Sequence, residues 1–105
     1  MFARVLYADD RIALQLDWLG IGALEVVYRD GRRRRAHPAQ KRVFLALVDA
    51  FAALDQPVSP ANPKFSRMAK DFAELLEEPP NGLIWRTFIS DTKEARAQQY
   101  ATGDE

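Results

Sequence analysis

The chain has 105 residues, 48% of them apolar, with 15 basic groups against 15 acidic ones and no cysteine. That length suits one domain around one core, and so apolar a composition excludes a chain that stays disordered throughout. Without cysteine, disulfide stapling, thiolate catalysis and sulfur-ligated zinc or iron–sulfur sites are excluded. No run approaches the roughly 20 apolar residues of a membrane span, so a cytoplasmic protein with no membrane partner is expected.

Residues 2–7 form a short strand candidate, followed by the polar turn Ala8-Asp9-Asp10-Arg11. Beyond it Ile12, Leu14, Leu16 and Trp18 alternate with Ala13, Gln15 and Asp17, the period of a half-buried strand. Gly20 and Gly22 punctuate the chain. Leu24, Val26 and Tyr28 then alternate with Glu25, Val27 and Arg29, and Asp30-Gly31 is a hairpin signal of the type I′ kind. A two-residue loop sets Arg29 opposite Arg32, Tyr28 opposite Arg33, Val27 opposite Arg34 and Val26 opposite Arg35. Directly opposed residues share a face. Arg33, Arg35 and His37 therefore fall on the Leu24/Val26/Tyr28 side, with Arg33 able to stack on Tyr28, while Arg32 and Arg34 fall on the Glu25/Arg29 side. Arginine on both faces makes this an edge strand.

The period changes at Pro38, which suits the first position of a helix because its missing N–H would be unpaired there. A first helix over 38–54 carries Phe44, Leu47, Val48, Phe51 and Leu54 on one stripe, widened by Val43 and Leu45. A proline-rich connection leads to Asn62 as cap and Pro63 as opener of a second helix over 63–78, with Phe65, Met68, Ala69, Phe72, Leu75 and Leu76 on one face. Pro79-Pro80-Asn81-Gly82 ends it. Residues 83–89 read as a late short strand, and Ser90 as the cap of a polar terminal helix reaching about Tyr100. The expected fold is α+β: an N-terminal antiparallel sheet of three to four strands packed by two amphipathic helices, with the late strand and polar helix after them. One domain over 1–101 and a frayed tail over 102–105 follow. The expected core is Leu14, Leu16, Val26, Phe44, Leu47, Val48, Phe51, Met68, Phe72 and Leu75, with Trp18 and Trp85 at the core or its rim.

The chemistry-bearing residues are few. His37 is the sole histidine, and no serine and carboxylate pattern accompanies it as a triad would need. Asp9-Asp10 and Glu77-Glu78 are adjacent pairs whose side chains diverge, so neither is a two-carboxylate site by itself. Gly20 and Gly22 lack the further glycine and lysine of a phosphate loop. No enzyme activity, cofactor or metal is expected.

The sharpest feature is basic. Arg29, Arg32, Arg33, Arg34, Arg35, Lys41 and Arg42 stand against Asp30 alone over 29–42, a net of +6. Over 71–105, three basic groups face eight acidic ones, a net of −5. Such asymmetry steers a charged partner or lets one part of the fold complement another. Guanidinium forks bind oxyanions bidentately, so these seven residues are the candidate binding surface. The excess of Arg (11) over Lys (4) with abundant alanine suggests a GC-rich genome, hence a bacterial or phage origin. The reading is a small regulatory or adaptor protein that binds an acidic protein surface stoichiometrically, with self-association a further option. The alternative is a nucleic-acid-binding regulator using the hairpin for phosphate contacts. Sheet, helix, proline-rich turn, helix and strand resembles, in element order only, the winged-helix output domains of response regulators, and implies a helix entering the major groove. The second helix departs from that pattern: Lys64, Arg67 and Lys70 give way to Asp71, Glu74, Glu77 and Glu78, which repel phosphates.

Overall fold

The computed structural model describes residues 3–17 and 22–103. Four strands, β1 (Ala3–Ala8), β2 (Ile12–Asp17), β3 (Leu24–Tyr28) and β4 (Arg33–Arg35), precede four helices: α1 (Pro38–Ala52), α2 (Pro63–Leu75), α3 (Leu83–Phe88) and α4 (Lys93–Thr102). The strands pair in chain order, β1-β2-β3-β4, all antiparallel. The α+β architecture with an N-terminal antiparallel sheet is therefore as expected, and β4 is an edge.

Alternation decides which side of the sheet meets the helices. Ile12, Leu14, Leu24 and Val26 are buried on one face, joined by Leu6 at a bulge between Val5 and Tyr7 of the edge strand β1. Against this face pack Phe44, Leu47 and Phe51 of α1 and Phe65, Met68, Ala69, Phe72, Ala73 and Leu75 of α2. Leu16 and Val48, expected in the core, are only partly buried at its margin. Trp85 is buried; Trp18, Gly20 and Phe2 lie outside the described residues.

Local chemistry sets the helix ends. His37 caps α1: its Nδ1 accepts the Ala39 N–H (3.1 Å), and the His37 N–H donates to Gln40 Oε1 (2.9 Å), a reciprocal capping box with Pro38 just inside. Asn62 caps α2 by accepting the Lys64 N–H, and Pro63 opens it as predicted. Both helices stop short of their predicted ends, at Ala52 and Leu75. The terminal helix is capped by Thr92 rather than Ser90 and buries Ala97 and Ala101 against α1 and α2. Thr102, predicted to fray, belongs to α4 and Gly103 caps it; residues 104 and 105 lie outside the described residues.

The predicted late strand over 83–89 is helix α3. Trp85 and Phe88, three residues apart, are the two that turn inward, which is helical rather than alternating spacing. Glu78 Oε1 accepts the N–H groups of Ile84 (2.9 Å) and Trp85 (3.1 Å), satisfying orphan donors of the first turn. Gly82 leaves room for that carboxylate, since a Cβ there would collide with it.

The β1–β2 turn is held by one side chain. Asp9 accepts the N–H groups of Arg11 (2.8 Å) and Ile12 (2.9 Å) and the Tyr7 hydroxyl (2.6 Å). The Tyr7 bond and the two amides hold the Asp9 carboxyl down at about 2, from 3.8, and the same hydrogen bond pushes Tyr7 up to about 12. Asp9 is more acidic when folded, so its contribution is present above its ordinary value and lost as pH falls from about 4 through about 2. Tyr7 is less acidic when folded, so its contribution holds below about 10 and is lost as pH rises through about 12. Replacing Asp9 with alanine is expected to flatten the acid limb of a stability-versus-pH curve measured by urea titration. An unchanged slope between pH 4 and 2 would remove Asp9 from that account.

Candidate functional site: the arginine edge

The site begins at the turn between β3 and β4. Gly31 adopts φ +93° and Asp30 does not share its left-handed conformation, so the type I′ turn, which needs positive φ at both residues, is absent. The Gly31 N–H donates to Tyr28 O (2.9 Å) and the Tyr28 N–H to Arg32 O (2.8 Å), enclosing the three-residue loop Arg29-Asp30-Gly31. Asp30 secures it by accepting the Arg32 N–H (3.0 Å) and Nε–H (2.7 Å). The first of these, the backbone bond, lowers the Asp30 carboxyl below its ordinary value.

One extra loop residue shifts the register by one and exchanges the faces of the whole strand. Val27 lies opposite Arg33, Val26 opposite Arg34 and Glu25 opposite Arg35, in place of the predicted pairs. Arg33 and Arg35 thus stand on the outer face with Glu25, and Arg34 on the core side with Val26. Arg32, not Arg33, lies over the Tyr28 ring, 4.8 Å from its centroid.

The cations divide by what holds them. Arg34 reaches under the sheet, donating from Nε to the Leu76 carbonyl at the end of α2 (2.6 Å). Beside it Glu77 accepts from the Tyr28 hydroxyl (2.6 Å) and from Arg11 (3.3 Å), so its carboxyl is lowered, chiefly by the Tyr28 bond. Burial raises Tyr28, helped by the same bond. Part of the basic–acidic asymmetry is therefore spent inside the fold, joining the sheet to α2. Arg29 donates to Asp10 O (3.1 Å), and Lys41 Nζ to Gly22 O. Arg42 is exposed on α1.

Arg33 and Arg35 differ. They share one carboxylate, Glu25, at 2.8 and 3.8 Å, and their side chains stay 58% and 74% exposed. Across the open face run two rows set by register: Gln15, Glu25 and Arg35, then Ala13, Val27 and Arg33. Among the described residues, none on this face is buried. A depression of about 510 Å³ lies at its end, lined in part by Asp17, Glu25, Arg33, Arg35, Pro38 and Lys41.

Of the seven predicted residues, Arg33, Arg35 and Lys41 are brought to this depression. Arg29 and Arg32 sit at the hairpin tip, Arg34 is tied to the Leu76 carbonyl at the end of α2, and Arg42 lies apart on α1. Glu25 is the residue that sequence reasoning missed. Its place between two arginines follows from the register alone, and a loop counted as three residues would have revealed it. The strand that completed the winged-helix element order is helix α3, and Lys64 of α2 donates to the Ala101 carbonyl (2.7 Å), tied to α4. The chain matches no protein-family model, no curated protein and no solved structure.

Proposed function

We propose that the protein is a binding module of the regulator or adaptor kind, which holds an acidic protein surface through β4 and the open face beside it. The observation that carries this reading is that Arg33 and Arg35 share a single carboxylate on an exposed edge. Two guanidinium groups converge on this one side chain, and a partner's carboxylates can add to the pairing. The guanidinium ends are exposed while the Glu25 side chain is only 18% exposed, so a partner's carboxylate joins Glu25 at the two arginines rather than displacing it. His37 supports binding over catalysis, because its Nδ1 is committed to capping α1.

The test is affinity purification from the native host with and without nuclease, using the natural chain and an Arg33→Glu/Arg35→Glu variant. A nuclease-resistant protein partner is expected. Reversing both charges should weaken its binding at least about tenfold, mainly through the association rate, with the difference shrinking as salt rises. Capture that vanishes with nuclease would replace this reading with phosphate binding. Equal capture by the folded variant would remove the arginine edge from the interaction.

A further inference from the structure

The outward edge of β4 carries more than charge. The bonds Tyr28 N–H to Arg32 O and Ala36 N–H to Leu24 O fix the parity of the hairpin. Residues 32, 34 and 36 turn their peptide groups toward β3, so those of Arg33 and Arg35 point away from the sheet. β4 is the last strand in the order and all three of its residues are exposed. The other edge, β1, is interrupted by the bulge between Val5 and Tyr7. An unbulged edge with outward N–H and C=O groups is a template for strand addition.

We infer that the partner binds as a fifth strand: an extended acidic segment of another protein, pairing with β4 and carrying carboxylates at alternate residues. This deepens the function proposed above and rests on it. Charge complementarity selects the occupant. A residue directly opposite Arg33 or Arg35 lies on the same outer face and exchanges hydrogen bonds with it. Carboxylates at positions i and i+2 of the incoming strand therefore meet both guanidinium groups. A second copy of this chain adding through β4 would set arginine against arginine, which is destabilising. The recognition combines four main-chain groups, which accept any sequence, with two cations that select the acidic one.

The geometry makes a test that charge alone does not pass. The probe is a synthetic seven-residue peptide of alternating Thr and Glu with blocked ends. In the proposed pairing its Glu peptide groups face β4 and its Thr peptide groups face solvent. Methylating the Glu nitrogens removes the bonds to β4 and keeps every charge; methylating the Thr nitrogens leaves those bonds intact. The unmodified and Thr-methylated peptides should bind the full chain within about threefold of each other, and the Glu-methylated one at least about tenfold more weakly. Amide exchange at Arg33 and Arg35 should slow on binding the first two only. Equal binding by all three peptides, lost in Arg33→Glu/Arg35→Glu, would overturn strand addition and leave an acidic partner held by charge. Absence of binding by any of them at millimolar concentration would overturn strand addition, while the nuclease-controlled purification separately decides whether the partner is a protein.

Discussion

Truncating Phe72 to alanine is expected to destabilise the protein by about 3–5 kcal/mol. The ring is fully buried, and it touches the ring of Phe44 from α1 at 4.9 Å and those of Trp85 and Phe88 from α3 at 5.9 Å each. It is therefore where α1, α2 and α3 meet. The loss combines the transfer of an aromatic side chain, the cavity left behind and edge-to-face contacts of about 0.5–1.5 kcal/mol each. Small domains hold only about 5–15 kcal/mol in total, so the variant should sit near its unfolding limit at 37 °C. Urea unfolding followed by far-UV circular dichroism measures this directly. A loss under about 1 kcal/mol would show that the neighbouring rings close the gap, and that the three helices do not depend on this ring.

Replacing Arg34 with alanine should cost about 1–3 kcal/mol, because a carbonyl at a helix end loses a charged donor. The same change at Arg33 or Arg35 should stay within about 0.5 kcal/mol, as exposed substitutions usually do. Of the four consecutive arginines, Arg34 thus joins β4 to the end of α2, Arg32 pairs with Asp30 at the hairpin tip, and Arg33 and Arg35 stand on the open face beside Glu25. The comparison of midpoints across the three single variants is the check. Equal midpoints would mean that the Leu76 carbonyl finds another donor, such as water, and that Arg34 is available to a partner.

The strands were legible because alternation is a two-residue property that survives without context: Ile12, Leu14, Leu24 and Val26 are inward as their spacing demands. The caps were legible for a similar reason, since Pro38, Asn62 and Pro63 act on backbone groups within three residues of themselves. Two features were not. Residues 83–88 form a short apolar run whose period is ambiguous, and the group that makes them helical, Glu78, belongs to the preceding segment. The hairpin register depended on whether Asp30 enters the left-handed region. Asp-Gly permits either turn, and Asp30 instead bonds the Arg32 N–H and side chain, adding one residue to the loop. That single residue moved Arg33 and Arg35 to the open face and Arg34 to the side of the sheet that meets α2, where it stays exposed. The arginine cluster was visible in the sequence; its division between the two faces of the sheet was not.

The order β1-β2-β3-β4 also sets how the chain reaches this structure. Each strand pairs with its neighbour in sequence, so the whole sheet assembles by closing short loops. Loop-closure entropy grows only with the logarithm of loop length and is small here. The separated segments that must meet are helices: α2 onto β1 and β2, and α4 onto α1. The hairpins can therefore form early and the helices dock later, and folding should be faster than that of a β-sandwich of equal length, whose strands pair across the chain. The arginine edge is thus expected to pair early, before the helices dock.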